Sequence, residues 1–438
     1  VSRCHRVAFR FTMKVLVIGS GGREHALVWK ISQSPKRPEI FCIPGNAGIA
    51  FLAECHPLKV TDVKGIARFA SDRGIDLTVV GPELPLTLGI VDEFERLGLK
   101  ICGPGKAAAE IEGSKVFAKE LMRKYAIPTA EYEVFTSANK ALDYVKRGGM
   151  PLVIKAEGLA AGKGVFITHT LDEAQRAITS IMVEKAFGPA GERVVIEEYL
   201  QGEEASFLVF TDGKTSILLP SSQDHKAIFD GDRGPNTGGM GAYSPAPLVT
   251  EELERRIMEE IISPTLLGME KEGRTYRGIL YAGLMIEGNR ARVLEYNARM
   301  GDPETQPILM RLDTDILSIL EAIPDGELHT VQTRWNKRPS VCVVMSTKGY
   351  PGDYPKGMEI RGLECVKVLK DVMVFHAGTA FANGKIVTDG GRVLGVTALG
   401  ETIKHAIDRA YQSVEMITWD GAYYRKDIGR KALAREYS

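Results

Sequence analysis

Residues 291–307 read ARVLEYNARMGDPETQP, and the stretch begins as a buried strand. Side chains alternate faces along a strand, so the pattern puts Val293, Glu295, Asn297 and Arg299 on one side. Leu294, Tyr296, Ala298 and Met300 fall on the other, an apolar face that asks for a core. The first face lines up a carboxylate, an amide and a guanidinium. For a strand standing alone, a structural Glu–Arg ion pair would be the plainest account. The segments around it point elsewhere.

The chain has 438 residues, too many for one core, and two to four domains are expected. Hydrophobic residues make up 44% and charged residues 26%, a globular composition. Lys plus Arg equals Asp plus Glu, 56 each, so no net field recruits nucleic acid or an acidic membrane. Any anion must be held by a local site. The six cysteines (4, 42, 55, 102, 342 and 365) form no CxxC pair and no cluster with histidine at zinc spacing. Reduced thiols in a cytoplasmic protein are the expectation. No apolar run is long enough to span a bilayer. Residues 1–12, VSRCHRVAFRFT, are basic and lack acids; they read as an unstructured extension, because the folded pattern starts at Met13.

Residues 14–104 alternate short apolar runs ending in Gly or Pro (KVLVIG, EIFCIPG, DLTVVGP, LKICGP) with helices over 23–33, near 62–73 and near 86–97. That order implies βαβ units on a parallel sheet. We assign 13–113 to a Rossmann-like N-terminal domain and 114–335 to a second region with a mobile lid at about 126–199. Residues 336–438 form a small α+β closing domain.

Three glycine loops carry the chemistry. VLVIGSGGREHAL (15–27) lacks the third glycine of a dinucleotide fingerprint, since Glu24 stands there, and the second strand ends in Pro44-Gly45-Asn46 rather than an acid. NAD is disfavoured, whereas a phosphate ester at a helix N-terminus is not. VIKAEGLAAGKGVFI (153–167) is not a Walker A loop, but it sets Lys155 in an apolar strand, where an unpaired ammonium is costly and a triphosphate would offset the cost. DGDRGPNTGGMGAYSP (230–245) is too rich in glycine to pack a core, and Ser222-Gln223-Asp224-His225-Lys226 precedes it. That polar set suits a small zwitterion, or a solvated bend.

These segments together resemble the ATP-grasp ligases, and among them the phosphoribosylamine–glycine ligase (glycinamide ribonucleotide synthetase) family of purine biosynthesis. The resemblance runs from Met13 through GSGGREHAL, PGNAGIA, TVVGPELPL, GPGKAAAEIEGSK, IKAEGLAAGKG, VIEEYLQGEEASF, SSQDHK, GPNTGGMGAYSPAP, LEYNARMGDPETQP, KGYPGDY, FHAGT and GGRVLGVTALG. Glu157 replaces a usual Asp and Ala298 a usual Cys.

The resemblance implies an ATP-grasp fold and assigns Glu295 and Asn297 to Mg²⁺ or Mn²⁺, a hard ion suited to oxygen ligands. ATP is expected on Lys115, Lys155, Gly162, Lys163 and Gly164, with adenine at Glu197, Glu198, Tyr199 and Leu200, its ring edge read by backbone groups near Glu197 and Leu200, and the ribose at Glu203 or Glu204. The ribose phosphate of 5-phosphoribosylamine is expected at Gly21, Gly22 and Arg23 with Pro44, Gly45 and Asn46. Glycine and the reacting amine are expected at Asp224, Lys226, Asn236, Thr237, Gly238 and Gly239. Arg299, Lys155 and Asp224 are the expected catalytic groups, with Arg299 on the transferred phosphoryl group or the glycine carboxylate. A monomer is expected, and the closing domain, through KGYPGDY and GGRVLGVTALG, should complete the cleft without donating a catalytic group. The rival readings are an ATP-grasp ligase for other substrates, a NAD-dependent dehydrogenase and a silent nucleotide-binding regulator.

Overall fold

Five apolar runs build the first sheet of the computed structural model, which describes residues 12–159 and 164–436. In chain order they are β1 (Lys14–Gly19), β2 (Glu39–Pro44), β3 (Glu54–Cys55), β4 (Leu77–Val80) and β5 (Ile101–Cys102). All pair in parallel, in the order β3-β2-β1-β4-β5. Val15 and Val17 enter one core and Leu16 and Ile18 another, as a parallel strand covered on both faces requires. The covering helices are α1 (Gly22–Ser32), α2 (Val63–Arg73), α3 (Glu83–Thr87), α4 (Ile90–Arg96) and α5 (Lys106–Gly113). The single helix expected near 86–97 is two, because Gly89 takes φ +89° and turns the chain between them.

Helix α6 (Lys115–Lys124) leads into a second unit: β6 (Tyr132–Phe135), α7 (Ala138–Arg147), β7 (Leu152–Ala156), β8 (Val165–Thr168), α8 (Leu171–Ile178) and β9 (Val194–Glu198). The strands form an antiparallel sheet ordered β6-β9-β7-β8. Its own core takes Ile154, Ala156, Val194 and Ile196 from the strands and Ala141, Val145, Ala174 and Ile178 from the helices. Period-two alternation then leaves Val153, Lys155 and Glu197 on the opposite face. This unit occupies the segment read as a lid.

The third region runs β10 (Glu203–Thr211), β11 (Ser216–Leu218), β12 (Gln223–Asp224), β13 (Ala227–Phe229), β14 (Arg233–Asn236), β15 (Gly241–Ser244), β16 (Gly278–Glu287) and β17 (Arg290–Asn297). Strands β11-β10-β16-β17 make one antiparallel sheet. In β17 the register places Glu295 opposite Gly283 and Val293 opposite Leu284, so Leu294 is an extra residue. This β-bulge reverses the alternation. Ala291 and Val293 before it, and Tyr296 and Ala298 after it, share one core. The expectation that Val293 shares the face of Glu295 is therefore corrected, and Leu294 joins Glu295 and Asn297 at the cleft.

The closing region adds β18 (Ser340–Thr347), β19 (Val372–His376), β20 (Thr379–Ala382), β21 (Lys385–Thr388), β22 (Arg392–Leu399) and β23 (Ala422–Tyr423). Its main sheet runs β12-β15-β18-β22-β19, with β23 on β18, so the strands flanking the third glycine loop belong to it. The middle and closing regions share this sheet. The helix Ile403–Glu415 covers it through Ala406, Ala410 and Val414, packed with Val341, Val343 and Val396. Among the described residues no helix is long and apolar enough to cross a membrane.

Candidate active site

The four larger sheets leave a cleft of about 450 Å³, within the range of small-molecule sites. Its roof comes from the second unit. Lys155 on β7 meets Glu197 two positions away on the neighbouring β9, Nζ to Oε2 at 2.9 Å. Lys155 Nζ also donates to the Leu294 carbonyl at 3.1 Å, tying the roof to the bulge. Helix α6 presents Lys115 and Lys119, four residues apart and therefore on one face. Lys119 shares the same Glu197 oxygen at 3.2 Å and donates to Thr129 Oγ1 at 2.8 Å. Burial pulls the Lys119 ammonium down to about 8, with Lys155 adding to the shift and Glu197 opposing it. Lys115 is also lowered, chiefly by burial, and donates to the Gly158 carbonyl at 2.7 Å.

Glu157, the residue in place of an Asp, accepts from Ser114 Oγ at 2.5 Å and from the Val116 amide at 3.0 Å. Its carboxylate sits at the positive end of α6 and holds the start of the lysine helix.

The floor is β17 and the bend after it. Burial pushes the Glu295 carboxyl up, but Lys226, Lys155, Lys115 and Arg299 outweigh it and hold the group below the usual carboxylate range. Asn297 Oδ1 accepts from Arg299 Nη2 at 3.0 Å. Arg299 is itself caged: Nε lies 3.2 Å from Glu83 Oε2 and Nη2 lies 3.0 Å from Glu112 Oε1. Both acids belong to the N-terminal domain, so the ion pair is not with Glu295 across the strand. Burial raises the Glu112 carboxyl to about 7 against the pull of Arg299. An ionised carboxylate and an amide oxygen on one face, among cations that also suit phosphates, are the donors a hard divalent ion takes.

At the far end, Lys226 Nζ pairs with Glu204 Oε2 at 2.5 Å. Burial works against its charge, but Glu204, Asp224 and Glu295 outweigh it and hold it protonated. Burial lifts Asp224 to about 7, with Glu304, Glu204 and Glu295 adding and Lys226 opposing. Glu304 is buried and accepts from Tyr281 Oη at 2.6 Å and Ser206 Oγ at 3.1 Å.

The structure therefore gathers Lys115, Lys155, Glu197, Glu198, Tyr199, Leu200, Glu204, Asp224, Lys226, Asn236, Thr237, Gly238, Glu295, Asn297, Arg299 and Arg23 around one cavity. Gly162 and Lys163 lie outside the described residues; Gly164 leads into β8, its carbonyl accepting from the Ala156 amide. Three placements differ from the sequence reading. Glu197 enters by its side chain, because its backbone is paired to Tyr132 on one side and Val153 on the other. Glu203 turns away to Arg435, 2.5 Å, as strand alternation from Glu204 demands. Pro44, Gly45 and Asn46, like Gly21, Gly22 and Gly239, are not among the residues that line the cleft: the Gly45 amide donates to the Gly19 carbonyl, and the Asn46 amide group donates to Ser20 and His376 carbonyls at 2.8 Å.

The start of α1 is also partly satisfied from within. The Gly21 amide donates to Glu24 Oε2 at 2.5 Å and the Arg23 amide to Asp302 Oδ2 at 3.4 Å. Arg23 remains on the cleft, its Nη1 donating to the Met300 carbonyl. His25, beside this turn, accepts from the His376 amide through Nδ1 at 2.7 Å and joins the first domain to the closing one. Lys119, Glu83, Glu112, Glu304 and Arg392 were missed from sequence. Only Lys119 left a local signal, its spacing from Lys115.

Comparison with known proteins agrees with this geometry. Models of the phosphoribosylglycinamide synthetase N domain, ATP-grasp (A) domain and C domain match residues 13–112, 113–305 and 340–431. A phosphoribosylamine–glycine ligase of Vibrio cholerae is 52% identical over 427 residues, 97% of this chain and 99% of the relative. One of Haemophilus influenzae is likewise 52% identical over 427 residues. The crystal structure of the Thermotoga maritima phosphoribosylamine–glycine ligase superposes with TM-score 0.83 at 35% identity, covering 95% of this chain and all (100%) of that one. The biotin carboxylase domain of Hydrogenobacter thermophilus 2-oxoglutarate carboxylase, solved with MgADP and bicarbonate, superposes with TM-score 0.73 at 18% identity, a likeness of fold. The chain covers 94% of its own length and 91% of that domain in the match. With its sheets, its lysine roof and all three domain models in register, the chain belongs to the phosphoribosylglycinamide synthetase family of ATP-grasp enzymes.

Proposed function

We propose that this chain joins glycine to 5-phosphoribosylamine at the expense of ATP, giving glycinamide ribonucleotide, ADP and phosphate, a step of purine biosynthesis. The observation that carries the reading is the convergence of Lys115, Lys155, Lys226 and Arg299 on the Glu295 carboxylate in one cleft. A carboxylate cannot expel oxide when an amine attacks it, so it needs activation. A glycine carboxylate oxygen attacks the γ-phosphorus of ATP and ADP leaves, forming glycyl phosphate. The phosphoribosylamine nitrogen then attacks the acyl carbon, phosphate departs and the nitrogen loses one proton.

Such chemistry asks the protein for positioning and charge neutralisation rather than a covalent nucleophile. Lys115 and Lys155 neutralise the phosphates from the roof, and Asp224 faces the amino-acid end. Glu295 and Asn297 would hold Mg²⁺ or Mn²⁺, which when bound neutralises phosphate charge. Arg299 holds the Asn297 amide in place by donating to its oxygen. The roof over these groups excludes water, the competing nucleophile. The protein acts as a monomer in the cytoplasm, on small molecules alone.

Phosphate release is measured with ATP, Mg²⁺, glycine and phosphoribosylamine present, then with each omitted. Release that needs all four supports the reading. Release that persists without both glycine and the amine contradicts it.

A further inference from the structure

The closing region was expected to complete the cleft without donating a catalytic group, and two of its side chains end on the backbone of one residue of the third glycine loop. The Gly238 amide donates to Tyr350 Oη at 3.0 Å. The Gly238 carbonyl accepts from Arg392 Nη1 at 2.7 Å, and the same nitrogen donates to the Asp302 carbonyl at 2.6 Å. One guanidinium thus ties the glycine loop to the bend after β17, and it lines the cleft.

The glycines are shaped to this clamp. A Cβ on Gly238 would lie 2.9 Å from Arg392 Cζ, and one on Gly391 would lie 2.2 Å from Tyr350 Cδ2. From Gly238 the contacts run inward. Both the amide and the hydroxyl of Thr237 donate to the Lys226 carbonyl at 2.8 Å, and Thr237 Oγ1 accepts from the Gly239 amide at 2.9 Å. Lys226 then reaches Glu204 and the field of Glu295. Among the described residues no hydrogen bond joins Tyr350, Arg392, Thr237 or Gly238 to Lys115 or Lys155, which meet Lys226 only in the field of Glu295.

We propose that Tyr350 and Arg392 are positioning residues of the closing region: they set the backbone on both sides of Gly238 and, through Thr237, place Lys226 at the end of the cleft that takes amino acid and amine. This rests on the ligase reading above. It implies a division of labour in which the second unit governs ATP and the closing region governs the other two substrates.

The test uses the full chain with Y350F, which deletes one hydroxyl, and R392K, which keeps the charge but loses the fork. The readouts are steady-state KM for glycine and for phosphoribosylamine, equilibrium binding of a non-hydrolysable ATP analogue with Mg²⁺, and the unfolding midpoint. Losing a neutral and a charged hydrogen bond predicts a rise in KM for glycine or the amine of about 3- to 10-fold in Y350F and about 10- to 100-fold in R392K. Analogue binding should stay within about twofold of wild type, and R392K should keep more glycine affinity than R392A. Wild-type KM values in a folded Y350F and R392K would overturn the proposal. So would analogue affinity falling in step with glycine affinity, the mark of general loosening. Failure of the wild type itself to ligate would remove the ligase reading, and this inference with it.

Discussion

Replacing Glu197 by Gln removes the one carboxylate shared by two buried ammonium groups while keeping its shape. Glu197 is 2% exposed, with Lys155 at 2.9 Å and Lys119 at 3.2 Å. Removing one partner of a buried ion pair costs about 3–5 kcal/mol when the remaining charge stays. Here the charge can leave. Lys119 already sits at about 8, and losing Glu197 drops it further.

An unfolded lysine titrates near 10.4, so the unfolded state binds more protons in this range and stability rises with pH in both proteins. The variant begins this rise at lower pH. Its deficit is therefore largest below its own Lys119 pKa and shrinks until about pH 8, where the wild-type group also titrates. Each unit by which the variant pKa falls below the wild-type value adds about 1.4 kcal/mol to the deficit at low pH, and that part is gone by about pH 9. Urea midpoints of wild type and E197Q across that range measure it. A deficit that is constant with pH would refute the shared burial of Lys119 and Lys155 on Glu197.

Glu295→Gln should leave the urea midpoint near wild type, cut turnover by about 100- to 1000-fold, and weaken Mn²⁺ binding read by electron paramagnetic resonance in the presence of a non-hydrolysable ATP analogue. Unchanged Mn²⁺ affinity would exclude Glu295 as a ligand. Asp224, lifted to about 7 by burial, is ionised only above that pH, and a carboxylate is what a glycine ammonium needs. The kcat/KM for glycine should fall as pH drops through about 7, and Asp224→Asn should flatten that limb. R299K should weaken the bond to Asn297 and both bonds to Glu83 and Glu112 and lower turnover by about 10-fold or more, and unchanged turnover in the folded variant would exclude Arg299 as the group that holds Asn297.

The parallel sheet was legible because short apolar runs ending in glycine or proline have few other uses. The face of Glu295 and Asn297 was legible too, but not where it begins. One extra residue, Leu294, reverses the alternation, and its place is set by pairing with Gly283 and Leu284 rather than by the strand itself. Likewise Arg299 was found, while its partners were not, since Glu83 is 216 positions away. Arg392 was hidden for the same reason: its partners, the Gly238 carbonyl and the carbonyl and carboxylate of Asp302, lie 154 and 90 positions away. Lys119 is different. Its spacing from Lys115 on one helix face is visible in the sequence.

Glycine labelled with ¹⁸O in its carboxylate, incubated with the enzyme, ATP, Mg²⁺ and phosphoribosylamine, tests the central claim most directly. Activation through an acyl phosphate predicts one labelled oxygen carried into each phosphate released. Unlabelled phosphate formed alongside glycinamide ribonucleotide would contradict it.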